Sequence, residues 1–149
     1  MPTTRRSRAL EAPPERVWEL VSDPHHQPRW WPGVSRMEGV EEDRFTQVHI
    51  TTRSKRAIRV DFHMIASTPP EDGRPGLCSW EQEVIGTPFE RVLNEAVTEV
   101  TVNPDGAGTR VEIALIQRLR GYSRFGAVML SRATKARLDE ALDSLARIV

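Results

Sequence analysis

Apolar and polar positions change their period along this chain, and the changes divide it into elements. Residues 5–11 alternate weakly, as a first strand would, before Ala12-Pro13-Pro14 interrupts them. Proline is tolerated in the first turn of a helix, where its missing N–H would have no partner, and Glu15 complements the positive helix start. The spacing therefore predicts a short helix over 14–22, with Val17, Trp18, Leu20 and Val21 as its apolar residues. Asp23-Pro24 stops it, because the residue before a proline is driven out of the helical region. Residues 25–31 predict one more helical turn, closed by Pro32-Gly33.

From Val34 to Arg120 the pattern is that of antiparallel strands separated by turns. Strands are predicted over 34–41 and 44–53, and a third follows in which Ile58, Val60, Phe62 and Met64 alternate with Arg59, Asp61 and His63. A period of two buries one face, here the apolar one. Residues 68–76, with three prolines and two glycines, form a loop. A strand over 77–85 is broken by Gly86-Thr87-Pro88 before a strand-like segment, 89–93. Residues 94–102 and 109–119 make a hairpin whose Pro104-Asp105-Gly106 connection is turn chemistry.

The closing segment, 122–149, returns to a helical period. At 100° per residue, Leu130, Thr134, Leu138, Ala141, Leu145 and Ile148 fall on one stripe, and Tyr122, Phe125, Met129, Ala133 and Ala136 on an adjacent one. The first carries large aliphatics, as a packed core does. The second ends in two alanines, which leave little side-chain volume to fill the gap to a sheet. That predicts a cavity beside Ala133 and Ala136, the alternative being close helix packing on the alanine face.

Composition narrows the function classes. A chain of 149 residues suits one domain, 1–149, large enough to bury about two thirds of its unfolded surface. Lys plus Arg equal Asp plus Glu, 21 against 21, so no overall field draws the molecule to nucleic acid or an anionic membrane. Cys78 is the only cysteine, which excludes an internal disulfide and fits a reducing, cytoplasmic address. The basic start lacks the apolar segment of a signal peptide, and no apolar run approaches the roughly 20 residues of a membrane span.

Several of these residues together carry a resemblance. Ala12-Pro13-Pro14-Glu15-Arg16-Val17-Trp18, Asp23-Pro24, Trp30-Trp31-Pro32-Gly33-Val34, Gly86-Thr87-Pro88-Phe89 and Gly108-Thr109-Arg110-Val111 are similar to the polyketide cyclase/dehydrase branch of the START-like (SRPBCC) superfamily. The resemblance runs in order over nearly the whole chain. It implies an α+β helix-grip fold, in which a seven-stranded antiparallel sheet wraps a long C-terminal helix and two short helices follow the first strand. It also implies a choice of functions, since members bind lipids, sterols, hormones or quinones, and some cyclise polyketides. Aromatase/cyclase members are thought to use arginine, tyrosine and tryptophan inside the cavity; this chain has one tyrosine, Tyr122.

On this basis a small hydrophobic ligand is expected between the last helix and the sheet, contacted by Trp31, His49, Phe62, Met64, Trp80, Tyr122, Phe125, Met129, Ala133 and Ala136. One of Trp30 and Trp31 is expected to plug the core and Trp31 to stand at the mouth. The alternative is an enzyme, a polyketide cyclase or dehydratase, in which Glu83, His49 or an arginine moves protons. A carboxylate in an apolar cavity has a raised pKa suited to that work, whereas on a solvated face Glu81 and Glu83 would form cross-strand ion pairs. A third reading is a protein-interaction module with an exposed apolar patch. Arg118, Arg120 and Arg124 could meet an anionic group at the mouth or form a solvated edge. The four histidines show no ligand spacing, so neither metal nor cofactor is expected, and the chain is expected to be a monomer or homodimer.

Overall fold

In the computed structural model the strands form one antiparallel sheet of seven, in the order β1-β7-β6-β5-β4-β3-β2. The structure describes residues 3–121 and 124–149, the side chains of Arg124 and Phe125 excepted. The strands are β1 (Thr3–Leu10), β2 (Val34–Glu38), β3 (Arg44–Ile50), β4 (Ala57–Thr68), β5 (Gly76–Gln82), β6 (Leu93–Asp105) and β7 (Gly108–Leu119). The helices are α1 (Pro14–Ser22), α2 (Gln27–Trp30) and α3 (Arg124–Ile148). Strands β2 to β7 follow one another as a meander, and β1 returns to pair with β7.

Local chemistry accounts for the joints. Pro14 opens α1, and Asp23 ends it in extended backbone while its Oδ1 accepts from the His25 N–H at 3.0 Å. A 3-10 turn, Pro24–His26, then leads directly into α2. Gly33 adopts φ +80°, which side chains disfavour, and a Cβ there would lie 3.3 Å from His49 Nδ1. The loop after α2 therefore comes tightly against β3. At the β6–β7 hairpin the pairing continues to Asp105 and Gly108, so the turn is shorter than the sequence predicts. Thr109 Oγ1 donates to Ala12 O at 2.7 Å and ties the start of β7 to the approach of α1.

Two expectations are corrected. The segment 89–93 is not strand-like throughout: Pro88–Arg91 is a 3-10 turn whose start is capped by Thr87 Oγ1 accepting from the Phe89 N–H at 3.3 Å. And β5 ends at Gln82, so Glu83 lies past the strand.

The core lies between the inner sheet face and the second half of α3. Val100 and Val102 of β6, Val111 and Ile113 of β7, and Leu138, Ala141, Leu142 and Leu145 of α3 are buried to 2% exposure or less. Along β1, alternate residues Arg6 and Arg8 lean toward the helix. Arg6 grips Asp139 through two bonds of 2.8 and 2.9 Å, and Arg8 pairs with Asp143. No helix of the described residues is long and apolar enough to cross a membrane.

Candidate functional site: a cavity under the last helix

Beside the packed core, at Arg137 and Leu138 in the middle of α3, the sheet and helix part to leave a cavity of about 300 Å³. Its sheet wall follows from strand alternation. Gln47 and His49 of β3, Ile58, Val60 and Phe62 of β4, Trp80 and Gln82 of β5, Ala96 and Thr98 of β6, and Leu115 and Gln117 of β7 all face it. Register aligns them in cross-strand pairs: His49 with Ile58, Gln47 with Val60, Phe62 with Gln82, Trp80 with Thr98, Thr98 with Leu115 and Ala96 with Gln117. Trp31 closes one side and Phe89, from the 3-10 turn, another; Arg137 and Leu138 come from α3.

Aromatic packing makes one wall rigid. Trp31 meets Trp80 edge-on at 6.1 Å, Trp80 meets Phe45 at 6.0 Å, and Phe45 stacks on Phe62 at 5.3 Å. Trp30, 1% exposed, plugs the core behind Trp31 at 5.4 Å with its Nε1 unpartnered among the described residues. Such offset and edge-to-face contacts fix ring planes beyond what area burial alone would do.

Two polar groups of the cavity, Gln47 and His49, form a short chain with Gln27. Gln47 Nε2 donates to Gln27 Oε1 at 2.7 Å, which turns Gln47 Oε1 toward His49 Nε2 at 3.0 Å, so that nitrogen donates. Burial holds the His49 pKa below the usual imidazole range, the Arg137 charge adds to that, and a backbone hydrogen bond with Gly33 opposes it. Arg137 donates through one terminal nitrogen to Pro32 O at 3.4 Å, linking α3 to the loop beside Trp31. Thr134 Oγ1 approaches Gln117 Oε1 at 3.4 Å. No aspartate or glutamate lines the cavity among the described residues.

The residues singled out in the sequence separate cleanly. Trp31, His49, Phe62 and Trp80 line the cavity together. Met64 is half-buried on the same sheet face but joins the packed core. Met129, Ala133 and Ala136 are exposed, so the second helical stripe does not face the sheet. A helix presents only one stripe to a sheet, and the large aliphatics, joined by Leu142 on their other flank, occupy it. Tyr122 and the Phe125 side chain lie outside the described residues.

The ionisable candidates separate likewise. Glu83 is exposed and outside the cavity. Glu81 faces out with His63 at 3.7 Å, and Arg118 lies 3.9 Å from Glu95, so this face carries cross-strand partners. Arg120 donates to Asn94 Oδ1 at 2.8 Å, away from the cavity. Cys78 is buried, its thiol pushed up to about 12 by desolvation, which leaves it without thiolate at neutral pH. Among the described residues no cluster of His, Cys, Asp and Glu could hold a metal ion. Arg137 escaped the sequence reading, although its place at the edge of the stripe that carries Leu138 was the signal that could have found it.

Comparison with known proteins agrees with this architecture. Among solved structures, the di-domain aromatase/cyclase BexL of the BE-7585A biosynthetic pathway superposes with a TM-score of 0.75 at 21% identity. That match covers 99% of this chain and 46% of BexL, so the chain spans about half of that protein's length. A START superfamily protein from Mycobacterium smegmatis gives a TM-score of 0.71 at 11% identity, covering 97% of this chain and 94% of that one. A STAR-related lipid transfer protein from Xanthomonas axonopodis gives 0.68 at 14%, covering 96% and 82%. No curated protein matches the sequence. The sequence itself matches the polyketide cyclase/dehydrase and lipid transport family over residues 1–149, and with its helix-grip fold the chain belongs to that family.

Proposed function

We propose that the protein binds a small hydrophobic molecule in the cavity between α3 and the sheet. The observation that carries this reading is the lining itself: a partly open space of about 300 Å³ walled by Trp31, Phe62, Trp80 and Phe89, with a few polar groups among them. Pockets of this kind draw affinity from apolar burial, about 25 cal/mol per Å², and orientation from a small polar set. The names of the fold relatives, a lipid transfer protein and an aromatase/cyclase, support the same class of ligand.

The test uses the neutral fluorophore N-phenyl-1-naphthylamine. Wild-type protein should bind it with enhanced emission, Ala96→Phe should lose that binding by filling the cavity, and Ala133→Phe, on the exposed helix face, should retain it. Equal binding by both variants would place the ligand elsewhere.

A second reading, ring closure or dehydration of a polyketide-like substrate, is favoured by one observation: His49 reaches the cavity with a lowered pKa, so its imidazole is neutral and able to take a proton near pH 7. In that reading His49 is the base and Glu83, outside the cavity, has no part. His49→Asn should then abolish turnover of an aldol-type substrate while ligand binding persists; turnover at the wild-type rate would remove this reading.

A further inference from the structure

The cavity is apolar on most sides and has, among the described residues, a single permanently charged side chain, Arg137. Its situation differs from that of the arginines on the sheet and its edges. Arg5, Arg6, Arg8, Arg36 and Arg59 each have a carboxylate within 3.0 Å. Arg137 has no carboxylate within ion-pair distance among the described residues; its charge senses Glu140, on its own helix, only through space. Its one hydrogen bond, 3.4 Å to Pro32 O, is long for a guanidinium that carries five donors. The residue keeps contact with solvent, which places it at the mouth and leaves its remaining donors accessible from the cavity. Surrounding protein still desolvates the guanidinium enough to lower its pKa, though it remains charged.

A cation held at the rim of an acid-free cavity is electrostatically unbalanced, and the balance is restored by an anion arriving with the ligand. The second titratable group beside it, His49, carries no negative charge at any pH and donates its Nε2 proton to Gln47. Among the described residues no carboxylate lines the cavity to repel an anion, Glu140 acting on Arg137 only through space. A guanidinium fork matches the two oxygens of a carboxylate.

We propose that the ligand is a hydrophobic carboxylic acid whose carboxylate docks on Arg137 at the mouth while its apolar body lies among Trp31, Phe62, Trp80, Leu115 and Leu138. This rests on the cavity being the binding site and adds the chemical class of what enters it. The space of about 300 Å³ opens at its mouth, so it takes a flat or extended apolar body without enclosing all of it. Decanoate and 2-naphthoate are therefore suitable probes, with decan-1-ol and 2-naphthalenemethanol as uncharged counterparts.

The experiment is displacement of N-phenyl-1-naphthylamine by each probe from wild-type, Arg137→Gln and Arg137→Lys protein at pH 7.5, with calorimetry of decanoate alone. Wild-type protein should prefer each acid over its alcohol by about tenfold, the value of one charge-assisted hydrogen bond. Arg137→Gln should erase that preference by weakening the acids and leaving the alcohols unchanged, and Arg137→Lys should keep part of it. Equal displacement by acid and alcohol from wild-type protein would overturn the assignment of the acid and leave the cavity as the binding site. So would an equal loss of both in Arg137→Gln. Absence of fluorophore binding and of decanoate heat in the wild type would overturn the cavity reading together with this one.

Discussion

The two halves of α3 are built for different surroundings. From Leu138 to Leu145 the helix buries Leu138, Ala141, Leu142 and Leu145 completely and is held to β1 by the Arg6–Asp139 and Arg8–Asp143 pairs. From Gly126 to Ala136 only Thr134, at 3% exposure, is buried, while Val128 and Met129 stay more than half exposed. The same backbone is core at one end and roof at the other. The cavity exists because the roof half sends little side-chain volume down to the sheet, and because Ala96, Thr98 and Gln117 below it are small or polar. Hydrophobic pattern decides where a helix packs; the absence of large residues on both surfaces decides where it leaves space.

The largest effect should come from setting one half against the other. Leu142→Ala removes a side chain 2% exposed and should cost about 2–5 kcal/mol in urea denaturation, whereas Met129→Ala, at 59% exposure, should change stability by less than about 0.5 kcal/mol. Similar costs at both positions would mean that the halves are not distinct.

A smaller effect separates the halves by pH. His49, beside the roof, has its pKa lowered by burial, so between that lowered value and 6.5 the unfolded chain binds a proton that the folded chain does not. Stability contributed by neutral His49 is therefore complete above 6.5 and falls as pH drops through this window. Asp139, in the clamped half, has its pKa lowered by the hydrogen bond from Arg6, so its contribution is present above 3.8 and is lost only in stronger acid. Denaturation midpoints followed from pH 8 to 5 should decline in the wild type and flatten in His49→Asn, with Asp139→Asn leaving that interval unchanged. A decline of the same size in His49→Asn would assign it to another group.

Much of the scaffold was legible because its signals are local. Pro14 at a first helical turn, Asp23-Pro24 as a stop, the alternation from Ile58 to Met64 and the Asp105-Gly106 turn each act over a few residues. Phe62 and Trp80 of the aromatic lining were legible for the same reason, since strand parity chooses a face, and Trp31 from its place in the loop before Pro32-Gly33. The roof was not. Two neighbouring stripes on a helix differ by a modest rotation, and only the curvature of a sheet formed from distant strands selects between them, so Ala133 and Ala136 were placed inward when they face out. Glu83, left open between the cavity and a solvated face, lies just past the end of β5 at Gln82 and is exposed. Arg137 was hidden among 21 basic residues, because what sets it apart is that no carboxylate among the described residues lies within ion-pair distance, and that is a property of the fold.

The most direct measurement is amide hydrogen exchange along α3 with and without saturating N-phenyl-1-naphthylamine. If α3 roofs a ligand cavity around Arg137 and Leu138 and is fixed core beyond them, exchange should slow over residues 134–138 and around Ala96 and Thr98, with residues 141–148 unchanged. Protection spread evenly along the helix, or absent from residues 134–138, would contradict the account.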